Sequence, residues 1–320
     1  MRSVRVHAVL LLLAAVAAFL TWTREAPTAE QLERPLIWER DTTDIIAVTY
    51  RSGERQLDIE KREDGGEVFL WGTEVRLSLS PDSGGADTLV FPVGQPGAAV
   101  MNGFSEFRVL REFGAVSPER IADFGLDEPD GRVTVRFGDG SRVIEVGDAV
   151  YGGTDRYGRD QATGSAYVLP SDLIGPLQTG SGAVRERRVH YFPDADVARV
   201  RVEALGRERV LDRRIRDPRA PAVWTPVDLP EEADQTFANF MERVGQLAIQ
   251  GFDAQPDPES LESLVRIEYS GEDSEALGFL ELFRGPLPGD YYLSSERTRV
   301  PAGAIALLAQ RVEQDLSTIF

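Results

Sequence analysis

The sequence predicts an α+β protein: an N-terminal transmembrane helix followed by two tandem, duplicated α+β repeats with mainly antiparallel sheets. Three observations predict it. Residues 133–137 and 142–147 alternate apolar and polar side chains on either side of Asp139-Gly140, a turn pair that marks an antiparallel hairpin. The order of elements starts again after His190, the signature of an internal repeat. An apolar run from Ala8 to Leu20 follows Arg2 and Arg5, which is the charge asymmetry of a segment entering a membrane from the cytoplasm.

The N-terminal run is short for a span, but counting from Val4 to Thr23 gives enough reach, with Trp22 at the outer interface. Ala15-Val16-Ala17 also suits a signal cleavage site. The apolar run continues through Phe19, Leu20 and Trp22, which favours an uncleaved anchor with the bulk of the chain outside the inner membrane. Residues 1–24 are therefore read as cytoplasmic tip and anchor. Residues 25–40, polar and carrying Pro27 and Pro35, are read as a tether, with ordered structure beginning near Asp44.

The first repeat, residues 41–187, opens with a hairpin of Asp44–Tyr50 and Gln56–Glu60 around Ser52-Gly53. Val68–Trp71 gives a third strand, and Val75, Leu77 and Leu79 a further one. Val100, Met101, Phe104 and Phe107 form one face of an amphipathic helix, and such a stripe is ordinarily core. Pro129 ends the segment before the hairpin, so Phe124-Gly125-Leu126-Asp127-Glu128-Pro129 reads as a hinge between helix and sheet. Ala149–Ser165 reads as a loop dense in Gly, Asp, Arg and Tyr. Tyr167-Val168-Leu169 returns to the sheet, and Ser171–Gln178 forms a short helix interrupted by Pro176.

In the second repeat, residues 188–320, Asp196–Val202 matches Asp44–Tyr50, and Trp224 matches Trp71. Phe240, Met241, Val244 and Leu247 match the first helix face, and Val265–Tyr269 matches Val133–Phe137. Tyr291-Tyr292-Leu293 is assigned to the place of the Tyr167 strand, Leu264–Phe283 reads as a hairpin, and Pro301–Leu316 as a closing helix.

A helix, the Phe124-Gly125-Leu126-Asp127-x-Pro129 run, an extended pair ending in Ile144-Glu145-Val146-Gly147-Asp148 and the Tyr167-Val168-Leu169 strand together resemble the bacterial family known as domain of unknown function 4340. The resemblance is expected to extend over nearly everything after the N-terminal segment. It brings no catalytic residues. It implies a neighbourhood of gliding-motility-type transporters, made of an ATPase, a permease and an auxiliary extracytoplasmic subunit, and hence integral membrane subunits as partners.

Composition narrows the chemistry. A formal charge of −18 over 320 residues argues against nucleic acid as a partner, because phosphate backbones select basic surfaces. With no cysteine, thiolate metal sites, cysteine nucleophiles and a lipoprotein anchor are excluded. Of the two histidines, His7 flanks the apolar run, and His190 stands at the junction of the repeats, where a structural role is favoured. There is no Gly-x-Ser-x-Gly elbow and no phosphate-binding glycine loop. Asp155 and Asp160 lack the ligand spacing of a calcium loop. No catalytic, metal or cofactor residue is assigned. Tyr151, Arg156, Tyr157 and Arg159 share a loop with the Tyr and Arg content of binding surfaces and are the candidate partner-binding residues. The favoured function is a non-enzymatic, membrane-anchored extracytoplasmic binding or scaffold protein, accessory to a transporter. The alternative is an envelope-polymer hydrolase acting through two carboxylates. Two facing acids in a cleft would favour the hydrolase, and a groove-like apolar patch the binding protein.

Overall fold

A computed structural model describes residues 34–53, 55–77, 86–215, 222–252 and 256–320. Strand β1 (Leu36–Glu39) leads through a 3-10 turn at Thr42–Asp44 into a meander of β2 (Ile45–Ser52), β3 (Arg55–Asp64), β4 (Glu67–Leu77) and β5 (Ala86–Pro92). Helix α1 (Gln95–Ser105) delivers β6 (Glu106–Arg108) and β7 (Arg111–Ala115). The short helix α2 (Pro118–Asp123) precedes the hairpin of β8 (Gly131–Phe137) and β9 (Gly140–Ala149). β10 (Arg156–Asp160), β11 (Ser165–Leu169), α3 (Ser171–Thr179) and α4 (Ser181–Val184) complete this half. After a 3-10 turn at Asp194–Asp196 come β12 (Arg199–Ala204), β13 (Arg207–Ile215), β14 (Val223–Pro226), α5 (Gln235–Val244) and β15 (Ile249–Gly251). The chain ends with β16 (Glu262–Ser270), β17 (Ala276–Arg284), β18 (Tyr291–Ser295), β19 (Ala302–Ala304) and α6 (Ala306–Ile319).

These strands form three sheets. β1 and β6 make a two-stranded ribbon. The nine-stranded sheet runs β5-β4-β3-β2-β8-β9-β10-β11-β7, and the eight-stranded sheet β14-β13-β12-β16-β17-β18-β19-β15. Once β5 is set aside, the two large sheets share one order of strands, and each opens with a 3-10 turn before its first central strand. Helices α1, α3 and α4 pack together beside β2 and β4, and α5 packs on α6 beside β14 and β16. Each large sheet thus buries one face under helices, the usual way for an antiparallel sheet to keep a core on one side.

The α+β expectation behind a membrane-spanning helix is corrected by this architecture. The described chain is mostly antiparallel sheet, arranged in three sheets with few helices. No described helix is long and apolar enough to cross a membrane, and residues 1–24, where the span was expected, lie outside the described residues. Strands also occupy stretches that read as tether or loop. Leu36–Glu39, at the end of the expected tether, pairs with β6, and Trp38 packs at 4.2 Å on Phe107 and donates to the Phe104 carbonyl at 2.8 Å. That pairing takes Phe107 off the helix: α1 stops at Ser105 and the chain turns extended at Glu106. β4 is one continuous strand through Leu77, β5 lies where no strand was expected, and β10 fills a stretch whose glycine and charges hid it. The Tyr291 strand lies beside β17 as β10 lies beside β9, so it matches β10, and β19 matches the Tyr167 strand.

The two cores meet. The first holds Val48, Phe91, Phe104, Phe107, Val135 and Tyr167; the second holds Val200, Trp224, Phe237, Phe240, Ile267 and Leu282. Phe252 and Ala302, from the second half of the chain, are buried in the first core, and Ile249 packs against both.

Charged side chains close the helix ends in the first half. Arg55 donates to the carbonyls of Leu177 (3.1 Å), Gln178 and Thr179 (3.2 Å), where the end of α3 collects partial negative charge. Glu74, 1% exposed, accepts from the Ser181 amide at 3.0 Å at the start of α4 and pairs with Arg76 at 3.1 Å and Arg55 at 3.7 Å. Burial alone would raise the Glu74 carboxyl, but hydrogen bonds from Ser181 and Arg76 outweigh it and hold the group below its ordinary value. A carboxyl depressed in the folded state adds stability above its unfolded value and loses it as pH falls through the folded value. The wild-type protein is therefore expected to lose stability below about pH 4.3 in part through this group. Glu74→Gln should cost about 1–3 kcal/mol near neutral pH and flatten that acid limb in urea titrations at a series of pH values. An acid limb of unchanged slope would show that Glu74 does not contribute.

Candidate interaction surface

The hinge and Tyr157 and Arg159, expected to serve separately, meet on one face of the nine-stranded sheet. On β10, Gly158 faces the core side chain of Leu169, so Tyr157 and Arg159 point to the opposite face. α2 and the hinge lie over that face. Tyr157 stacks on Phe124 with ring centres 4.1 Å apart, and Phe113 packs 5.2 Å from Phe124 with Arg111 over its ring. Arg159 donates to the buried Glu145 carboxylate at 2.6 and 2.8 Å and to the Leu126 carbonyl at 3.2 Å; Leu126 is fully buried. Arg156 pairs with Asp130 at 3.2 Å, just past Pro129. Asp127 is exposed and Pro129 half-buried. Tyr151 stands apart in the turn before β10, fully exposed.

Two glycines make this close approach possible. Gly125 turns at φ +62°, a left-handed conformation that side chains disfavour. A Cβ on Gly147 would come within 2.2 Å of the Phe124 carbonyl oxygen, which itself accepts the Asp148 amide at 2.9 Å. The Phe-Gly-Leu run and the Val-Gly-Asp run are thus two sides of one contact.

Asp155 accepts from the Ser171 amide at 2.8 Å at the start of α3. Asp160, 1% exposed, pairs with Arg142 at 3.0 Å and accepts from the Ala162 amide. The buried carboxylates Glu74, Glu145, Asp160 and Glu186 each meet an arginine, which is the arrangement of structural ion pairs and not of two facing acids. Among the described residues, no group of three or more His, Asp or Glu side chains is placed to hold a metal ion.

His190 belongs to a latch between the halves. Its Nδ1 lies 3.2 Å from both Glu296 carboxylate oxygens, and its ring packs between Phe192 and Tyr269. Glu296 also accepts the amides of Tyr191 and Phe279, each at 3.1 Å. Burial, with Glu296 nearby, pushes the Tyr269 phenol well up, so it stays neutral. The neighbouring Arg297 forms an ion pair with Glu186, and both side chains are nearly buried. Glu186 accepts the amides of Arg187 and Arg188 at 2.8 Å, and its own amide donates to Pro92.

Beside this latch a groove of about 340 Å³ opens between β4, the start of α1 and the turn after β18. Val68 and Tyr191 line it with 62% and 59% of their surface exposed. Arg299 covers the Phe69 ring at 3.9 Å and pairs with Glu67 at 2.7 Å, and Arg297 covers Tyr191 at 4.0 Å. Sequence reasoning missed this surface. Its residues come from 67–70, 92–98, 186–191 and 297–299, and no local pattern announces that they converge.

Two antiparallel sheets are latched by a short linker, with an arginine and aromatic groove beside the latch. Over residues 107–264 the chain matches the family model described as Domain of unknown function (DUF4340), and it resembles that family there. The match runs from β6 into β16, narrower than the expected extent; it includes the hinge, Glu186 and His190 but neither β4 nor Arg297. No curated protein and no solved structure matches the chain.

Removing Arg297 leaves the Glu186 charge buried without its counter-ion. Arg297→Met should cost about 3–5 kcal/mol in urea unfolding. Adding Glu186→Gln should return part of that loss; a double variant no better than the single would show that the pair is not coupled.

Proposed function

We propose that this chain is a non-enzymatic extracytoplasmic binding or scaffold protein that serves as an accessory subunit to a membrane transporter of the gliding-motility type. The groove beside the latch carries the reading. Val68 and Tyr191 expose large apolar and aromatic surface there, next to arginines already positioned by stacking, and such side chains are enriched at protein interfaces. The transporter as partner rests on what the family resemblance implies, and the apolar stretch Ala8–Leu20 after Arg2 and Arg5 supports a place at the outer side of the inner membrane. A second surface is favoured by one observation: Tyr151 is fully exposed at a turn, while Arg156, Tyr157 and Arg159 below it hold the hinge.

A photo-crosslinking residue in place of Tyr191, and separately of Tyr151, tests both surfaces in intact membranes. Adducts from position 191 to a permease or an auxiliary transporter subunit are expected. Adducts from 151 alone would move the interface to the turn. Adducts to peptidoglycan alone, or none from either position, would contradict the proposal.

A further inference from the structure

We infer that the groove takes an extended acidic peptide segment of a partner protein, which adds a strand to the open edge of β4. The inference rests on the binding reading of the same groove and names its ligand chemistry.

The edge is visible in the register. β4 pairs with β3 along its whole length, from Asp64↔Glu67 to Arg55↔Arg76. With β5 it pairs only from Trp71↔Pro92 to Leu77↔Ala86, and the Leu70 carbonyl then takes the Val93 amide at 3.1 Å. Residues 67–69 extend past the end of β5. In an antiparallel strand the N–H and C=O of one residue point to the same side, and every second residue repeats that direction. Leu70 points to the β5 side, so Val68 does too. Its N–H and C=O face the groove with no strand beside them, the template that strand-addition partners use.

Charge specifies the segment. The whole chain carries −18, yet the groove sets Arg188, Arg297 and Arg299 against Glu67 and Glu186, a local excess of one positive charge. Arg297 and Arg299 are held by those carboxylates. Arg188 donates to the Gln95 side chain at 3.0 Å and forms no ion pair among the described residues. The remaining guanidinium donors of the exposed Arg188, in a partly apolar groove, select a carboxylate. A second copy of this chain would set two whole surfaces of −18 against each other, whereas a short acidic segment need meet only the locally positive groove. An edge three residues long offers few backbone bonds, so recognition needs both the edge and Arg188.

The test uses the full chain and a fluorescent, terminally blocked heptapeptide of alternating valine and glutamate, read by anisotropy. Binding is expected, about tenfold weaker for the peptide with lysine in place of glutamate and for one N-methylated on alternate backbone nitrogens. Val68→Pro removes the edge donor at a position where a strand tolerates proline. It should weaken binding by a similar factor, as should Arg188→Glu, each with an unchanged melting midpoint. Equal binding of the lysine or N-methylated peptides would overturn the inference whether or not Val68→Pro folds. No binding of any peptide, or a chain dimer that Val68→Pro abolishes, would also overturn it. Crosslinking from position 191 to a transporter subunit alongside absent peptide binding would leave the binding reading standing and remove strand addition alone.

Discussion

The Glu186–Arg297 ion pair is the contact on which the relation of the two large sheets depends. A carboxylate taken out of water needs its full complement of donors, and Glu186 finds them in Arg297 and in two consecutive amides of its own chain. That geometry fixes the direction in which the linker leaves the first sheet. One residue away, Glu296 does the same for the linker's far side by taking His190 and the Tyr191 amide. Between the two carboxylates the linker has little freedom, and Phe252 and Ala302 reach across to fill the first core.

The groove follows from this fixation. With the linker held, Tyr191 and Arg188 stand opposite Val68, and Arg299 lies over Phe69. The same stacking holds the arginine planes in place and lowers the rotational freedom lost on binding. Buried carboxylates elsewhere are occupied by arginines, so the acidity of the chain acts as a surface property, and the locally positive groove is set apart by contrast.

The sequence made some of this legible and hid the rest for physical reasons. The β8–β9 hairpin was readable because alternation and an Asp-Gly turn are local signals, and the Phe104 and Phe240 positions because a helix face repeats at short range. β10 was hidden by Gly158 and its charged neighbours, which mimic a loop until Leu169 and Glu145 are seen to need them. Phe107 satisfied the helical spacing, yet Trp38, some seventy positions earlier, captures it in a ribbon. Tyr157 and Arg159 were read as partner-binding residues from the Tyr and Arg content of their stretch, and in the structure they contact the hinge at Phe124 and Leu126. The groove had no local signature, since it is assembled by an ion pair and a hydrogen bond between residues about a hundred positions apart.

The latch and the shared core make the two large sheets one cooperative body. Calorimetry of the full chain tests this most directly. A single transition is expected, with van't Hoff and calorimetric enthalpies that agree. Two resolved transitions, one unaffected by Arg297→Met, would contradict it.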